Sequence, residues 1–352
     1  LAGVEVPRAI LLMDGRAKTS TLFVHPRNER SERSEGPVLV PGEKAADLTG
    51  IEKVLPRERF GEALSRVGQE GQAIYTPFRP EALGAATPHY TTNHAAASAA
   101  DPWDGRPSRE AAFIAKIRAV VPQVEIRNLD PILDEMRLFK SPREIALIRE
   151  ASRIAGEAII EGMRSAEVGM YEYELEAVGD FVFKRHNSQG NAYFSLIASG
   201  KNAHYPHYHA SQSRIEDGDL VLWDWGPDYK YYTSDVTRMF PANGKFNSEQ
   251  KELYTIYLRL YQALMTSIRP HASAVEITKD AVQKMDAIFA SYKFTHPKIK
   301  AAATRFIDGF RSGNRSRLGH WVGMEVHDVG VPFDVYKPGM VFTIEPAMRI
   351  PE

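Results

Sequence analysis

The stretch Asp219-Leu220-Val221-Leu222-Trp223-Asp224-Trp225-Gly226-Pro227-Asp228-Tyr229-Lys230-Tyr231-Tyr232-Thr233-Ser234-Asp235 holds two strand-like runs around a Gly-Pro-Asp turn signal, which predicts a β-hairpin. Asp224 and Asp235 are eleven residues apart, and a turn centred near Tyr229-Lys230 would set them directly opposite each other. Opposed residues on one face of a strand pair have Cβ atoms about 5 Å apart. Two carboxylates that close repel, and a pKa rises unless a cation neutralises them. A pair of divalent metals about 4 Å apart suits such a carboxylate pair. Taken alone, the two residues read equally well as turn and edge-strand aspartates, because a spacing by itself is weak evidence.

Three further segments carry chemistry-bearing side chains. Gly319-His320-Trp321-Val322-Gly323-Met324-Glu325-Val326-His327-Asp328-Val329-Gly330 sets two histidines seven apart among glycines and apolar residues. Imidazole suits Mn, Zn, Co and Fe and mixes with carboxylates in ligand sets; a pair of satisfied, partly buried histidines fits the same pattern. Thr343-Ile344-Glu345-Pro346 ends an apolar strand in a glutamate. Such a group is costly to bury unless paired or metal-bound, although a solvent-facing strand end is common. His204-Tyr205-Pro206-His207-Tyr208-His209 is a His-rich tract that could bind metal. For His204 and His209 an aromatic loop is the favoured reading.

Composition bounds the rest. The chain of 352 residues carries 44 Lys plus Arg against 45 Asp plus Glu, a formal net charge of -1. That balance excludes a strongly basic nucleic-acid binder and a polyacidic tail. Hydrophobic residues at 43% and charged residues at 25% are ordinary for a globular protein, and the length suggests about two domains. No apolar run approaches the roughly 20 residues needed to span a bilayer. The absence of cysteine removes disulfides, thiolate nucleophiles and Cys-ligated zinc, and fits a reducing compartment.

Along the chain, Ile10 to Met13 and Thr21 to Val24 read as strands flanking a turn at Asp14 to Lys18. Asn28 to Pro37 reads as a polar loop, Phe60 to Val67 as a helix, and residues 79–108 as a stretch without periodicity: a lid, an interface loop or an insertion. A helix is expected over Arg109 to Val120, completing a small α/β domain. The clearest boundary lies near 130–142, where Ser141-Pro142-Arg143-Glu144 has the form of a capping box. Helices are expected from there through Met163, over Glu172 to Arg185, over Ser248 to Ile268, and onward from Ser273-Ala274-Val275-Glu276. Strands are expected around Leu220 to Trp225 and Met340 to Ile344.

The order of these pieces is far more specific than any one of them. An Asp, a second Asp eleven later, a GHxxGxxxHD segment and a TIEP segment resemble the M24 metallopeptidases, the "pita-bread" enzymes that include aminopeptidase P and prolidase. The opening LFKSPREIALIREA helix and the DGDLVLWDWG, YYTSDVTRMFPANGKF and GHWVGMEVHDVG stretches look especially similar to those two. The resemblance implies an α+β protein: a creatinase-like α/β N-terminal domain over 1–137, then a pita-bread catalytic domain over 138–352. It implies that Asp224, Asp235, His320 and Glu345 bind two divalent metal ions, Mn²⁺ first, with Zn²⁺ or Co²⁺ as other options. Asp235 would bridge the ions, and Glu345 would also accept a proton. His207, seventeen residues before Asp224, would lie beside the scissile bond, and His327 would donate to the reacting carbonyl.

The implied activity is that of a Xaa-Pro aminopeptidase, in which a metal-bridging hydroxide cuts the bond between an N-terminal residue and proline. A prolidase acting on Xaa-Pro dipeptides is the alternative, and a non-catalytic pita-bread binding module is a second one. The partner is a peptide with proline at the second position, with no nucleic acid and no membrane. A homo-oligomer (dimer or tetramer) and a cytoplasmic location are expected. Where this family carries a histidine and an aromatic in its pocket, this chain has Ser316 and Arg349. The family's fifth ligand, a glutamate in an Arg-x-Glu strand, would fall beyond Glu352, and an opening part of the N-terminal domain before Leu1, so the chain is expected to be a fragment of a longer metallopeptidase.

Overall fold

The computed structural model describes residues 3–69, 71, 73–81, 88–313 and 317–350. The chain forms two compact units, one of Leu1–Phe78 with Pro107–Leu129, the other of Arg79–Arg106 with Asp130–Glu352.

In the first unit, β1 (Ile10–Asp14) and β2 (Thr19–Val24) pair antiparallel with Ile10 opposite Phe23, as the two apolar runs predict. The segment expected to be a loop forms α1 (Glu29–Glu35) instead. The Asn28 side chain caps it by accepting from the Arg30 and Ser31 N–H groups at 3.1 and 3.2 Å. None of its residues is buried, so hydrophobic periodicity carried no trace of it. Next come α2 (Glu43–Thr49), β3 (Lys53–Pro56), which runs parallel to β2, and α3 (Phe60–Gln69). β4 (Ile74–Thr76) follows.

α4 (Pro88–Ala100) belongs to the second unit and occupies the stretch read as aperiodic. Alanine favours helix without writing an amphipathic stripe, so the aperiodic pattern hid a helix. Back in the first unit, α5 (Arg109–Val120) takes its expected bounds, and β5 (Ile126–Asn128) pairs parallel with β4. Leu22, Val24, Ala45, Ile51 and Val54 form one core cluster, and Leu64, Ile117, Val121 and Val124 another.

The second unit continues with α6 (Asp130–Leu138), α7 (Pro142–Ser165) and α8 (Glu172–Arg185). The Ser141–Glu144 capping box that opens α7 is formed in both directions. The strands β6 (Gly190–Asn191), β7 (Leu196–Ser199), β8 (Leu220–Asp224), β9 (Pro227–Tyr229), β10 (Tyr232–Thr233) and β11 (Thr237–Pro241) follow. They make two three-stranded sheets, ordered β11-β8-β7 and β10-β9-β6. α9 (Ser248–Met265), α10 (Ala274–Ser291) and α11 (Pro297–Arg311) then pack around Ile256, Leu260, Ile277, Met285, Ile299 and Ile307. α11 was not anticipated, although Ile299, Ala303, Phe306 and Phe310 carry a helical period and all are buried. The strand expected over Met340 to Ile344 forms no ladder. Among the described residues that segment makes one isolated bridge, Trp321 with Phe342, because the partner stretch bends away at Gly323.

Two features of this unit place the candidate site. Along β8, Val221 and Trp223 are fully buried while Leu222 and Asp224 are only partly so. Alternation puts the two kinds of residue on opposite faces. Trp223 and Trp225 lie against α7 and α8 at glycines: a Cβ on Gly162 would fall 2.2 Å from Trp223, and one on Gly179 2.5 Å from Trp225. With the indoles wedged against the helices, Asp224 is presented on the other face.

The hairpin also departs from the expected register. The chain turns at Lys230-Tyr231, both with left-handed φ of 52° and 66°. That is the two-residue turn whose twist matches its flanking strands. Tyr229 therefore faces Tyr232, and Asp224 faces Thr237. Asp235 is not directly opposite Asp224 but two positions before its partner, the diagonal neighbour on the same face. Pro227 and Asp228, read as turn residues, lie within β9.

Candidate metal centre

The diagonal offset of the two aspartates is bridged by a side chain that the sequence did not single out. Tyr193 is buried, and its phenolic oxygen lies 2.7 Å from Asp224 Oδ1 and 3.2 Å from Asp235 Oδ1. Its carbonyl accepts from the Trp225 indole N–H at 2.9 Å, so the sheet that holds Asp224 also holds the tyrosine. Burial and the two carboxylates push the Tyr193 phenol well above its usual range, which keeps it a hydrogen-bond donor. Burial, then the charge of Asp235, pushes the Asp224 carboxyl up to about 7. Two carboxylates in one poorly solvated pocket resist sharing a negative charge.

The third and fourth groups arrive from the segment after α11. His320 Nε2 lies 2.8 Å from Glu345 Oε1 and 3.2 Å from Asp235 Oδ2. The Thr343 hydroxyl donates to Glu345 Oε1 at 2.7 Å and accepts from the His320 N–H at 3.3 Å, fixing both ligand candidates through one short side chain. Thr343 belongs to the TIEP stretch, yet its role as a positioning group was not foreseen. Gly319 permits the close approach: a Cβ there would sit 1.9 Å from the Thr343 carbonyl oxygen.

Burial disfavours a charge on His320, but its contacts with Asp235 and Glu345 outweigh that and raise its pKa to about 10. Glu345 feels the same burial, yet His320 and Thr343 bring its carboxyl below the usual range. His327 lies beside His320, ring centroids 4.0 Å apart and planes tilted by 56°. Burial and the neighbouring positive charge of His320 lower its pKa, so it is neutral at pH 7.

Of the six residues singled out in the sequence, Asp224, Asp235, His320, His327 and Glu345 thus converge. His207 lies on an exposed loop, near enough to His327 to contribute, last among the causes, to the lowering of its pKa. Ser316 and Glu352 lie outside the described residues.

The donor set fits a divalent cation. Asp235, His320 and His327 each offer a ligand atom, all within 4.8 Å of one another. His320 Nδ1 lies 3.1 Å from the Trp321 carbonyl, to which it can donate, which turns Nε2 toward Asp235 and Glu345. Nε2 is buried and aligned for a hydrogen bond to neither Asp235 nor Glu345, despite its proximity to both. Two carboxylates converging on such a nitrogen, with Asp224 tied to Asp235 through Tyr193, are an electrostatic arrangement that a cation satisfies. No helix among the described residues is long and apolar enough to cross a membrane.

Known proteins match both parts of the chain. Residues 1–75 match the model of the aminopeptidase P N-terminal domain. The chain is 37% identical over 224 residues to the Xaa-Pro aminopeptidase of Escherichia coli K12, a match covering 62% of this chain and 50% of that one. It is 33% identical over 244 residues to the Xaa-Pro dipeptidase of Pyrococcus horikoshii, covering 68% of this chain and 64% of that one. The matches thus span between half and about two thirds of these curated relatives. The structure of zinc-substituted E. coli aminopeptidase P with product superposes with a TM-score of 0.73 at 26% identity, covering 96% of this chain and 74% of that one. Residues 146–352, which hold the whole convergent cluster, match the model of metallopeptidase family M24, and the chain belongs to that family.

Proposed function

We propose that this chain carries the catalytic centre of a Xaa-Pro aminopeptidase, which removes one residue from peptides with proline at the second position. The convergence of Asp224, Asp235, His320 and Glu345 around one partly buried, cation-favouring point carries the reading. These four side chains would hold two divalent ions, with Asp235 shared between them and Mn²⁺ the first ion to try. When bound, such ions supply Lewis acidity to a substrate carbonyl and lower the pKa of water toward neutrality.

The chain's own groups do the rest. Tyr193 keeps the two aspartate carboxylates oriented by donating from its phenol. Glu345, held by Thr343, is placed to take a proton at Oε2, since Oε1 already accepts from Thr343. His327, whose pKa burial and His320 lower, can donate an N–H to the oxygen on which charge develops. His207, on its exposed loop, would meet the substrate near the leaving proline nitrogen, which must gain a proton to depart.

A prolidase is the second reading, favoured by the 33% identity to a Xaa-Pro dipeptidase. Assay of the Mn²⁺-loaded protein separates the two: Xaa-Pro-Xaa peptides cut and Xaa-Pro dipeptides spared supports the aminopeptidase, and the converse supports the prolidase. Hydrolysis of neither, unchanged by a chelator, would sink both. Asp235→Ala should abolish binding of both ions, whereas His327→Ala should lower turnover more than metal content.

A further inference from the structure

Glu172, the first residue of α8, is fully buried and takes no part in the centre described above. Five donors converge on its carboxylate. Oε1 accepts from the Ser199 N–H at 2.7 Å, the Ser199 hydroxyl at 2.9 Å and Asn202 Nδ2 at 3.0 Å. Oε2 accepts from the Tyr208 hydroxyl at 2.8 Å and the Ser213 N–H at 3.1 Å. The Glu172 and Tyr173 N–H groups, free at the helix N-terminus, donate to the Ser213 and Ser211 carbonyls at 3.1 and 3.0 Å.

The geography of these donors matters more than their number. They come from the last residue of β7 and from residues spread through the connection to β8. That connection holds no regular element beyond the short turn Gly200–His204. His207 is exposed within it, and its own neighbour Tyr208 is one of the five donors. The Tyr208 oxygen also lies 3.4 Å from the Gln212 N–H. A buried carboxylate at the start of a helix therefore gathers the end of β7, the residue beside the histidine, and Ser213 further along the connection. A polar cluster in which every partner is satisfied rigidifies what it joins.

We propose that Glu172 is a positioning residue for His207, acting through Tyr208: it holds the β7–β8 connection in the one shape that keeps this histidine at the substrate. The proposal rests on the reading of His207 as a substrate-side group. Reactions that depend on placement lose rate steeply with small displacements. The tether should therefore be visible in catalysis and in loop order alike.

The test uses the full chain with Mn²⁺ and a Xaa-Pro-Xaa peptide. Tyr208→Phe removes one hydroxyl and leaves the ring; it should lower kcat/KM on the order of tenfold. In a His207→Ala background the same substitution should change kcat/KM by less than about twofold, because its effect passes through the missing imidazole. Amide hydrogen exchange over residues 200–213 should rise in Tyr208→Phe, and rise further in Glu172→Gln, whose amide sets an N–H₂ among donors. A tenfold loss that persists without His207 would overturn the proposal, as would unchanged exchange over 200–213. Failure of the unaltered chain to cleave Xaa-Pro peptides would instead overturn the functional reading, and the exchange result would still decide the tether.

Discussion

Asp328→Asn probes the ionic support directly behind His327. Asp328 is buried, with a side chain 1% exposed, and its two oxygens meet two cations. Arg137 bonds to Oδ1, and Lys140 Nζ lies 3.2 Å from Oδ2 with a side chain also 1% exposed. Arg137 has a second partner, Glu325 at 3.2 Å. Burial already pulls the Lys140 ammonium below its usual range, against the opposing attraction of Asp328. Removing that attraction leaves a buried, uncompensated charge, a change that costs about 3–5 kcal/mol in comparable sites. The penalty has a ceiling, because Lys140 can release its proton. From the ordinary lysine pKa of 10.5, neutralisation at pH 7 costs about 5 kcal/mol.

The ceiling has a pH signature. A buried lysine that has lost its proton binds one fewer than the unfolded chain does, so stability rises with pH until the unfolded lysine titrates. Each pH unit is worth about 1.4 kcal/mol. Between pH 7 and pH 9 the gap between Asp328→Asn and the unaltered protein should narrow, by up to about 3 kcal/mol. Urea denaturation at the two pH values measures this directly. A loss below about 1 kcal/mol at pH 7, or a gap that fails to narrow by pH 9, would refute the idea that Asp328 holds a charged Lys140 in place.

Three other outcomes are expected. Gly162→Ala would push a methyl into Trp223, whose ring lies 2.2 Å from the Cβ position; calorimetry should show a stability loss of about 1–3 kcal/mol, and an unchanged Tm would mean the indole yields freely. Tyr193→Phe keeps the packed ring but removes the donor to Asp224, and chelator competition should show divalent-ion affinity falling about tenfold. Glu252 is opposed by burial but held by Thr295 and His296, which bring its carboxyl down from 4.5 to about 2. It therefore stabilises the fold above its unfolded pKa, and that contribution disappears as pH falls through about 2. Glu252→Gln should flatten the loss of stability between pH 4.5 and pH 2 in acid titrations followed by circular dichroism.

Much of this molecule can be read one residue at a time. The capping boxes at Ser141 and Ser273 and the bounds of α5 and α8 depend on chemistry within a turn or two of chain. Such local rules survive whatever packs around them. α1 and α4 escaped because they do not bury an apolar stripe, and it is the stripe, rather than helix formation itself, that a hydrophobic period reports. The Met340 to Ile344 segment failed in the opposite way: its apolar residues are drawn into core packing without a regular strand partner.

The candidate centre divides along the same line. The kinds of ligand and their order are properties of the chain: Asp224 and Asp235 in one hairpin, His320 and His327 in one loop, Glu345 after an apolar run. Their distances are not. The Lys230-Tyr231 turn makes the two aspartates diagonal rather than opposed, and Tyr193, thirty-one residues before Asp224, closes the gap between their carboxylates. Thr343 couples His320 to Glu345 across twenty-three residues, and Glu172 gathers the His207 loop from the far side of a helix start. Hydrogen bonds between residues so remote in sequence exist only once packing has fixed both partners. The sequence by itself therefore determined which groups could do chemistry, while the tertiary structure decided which side chains hold them at bonding distance.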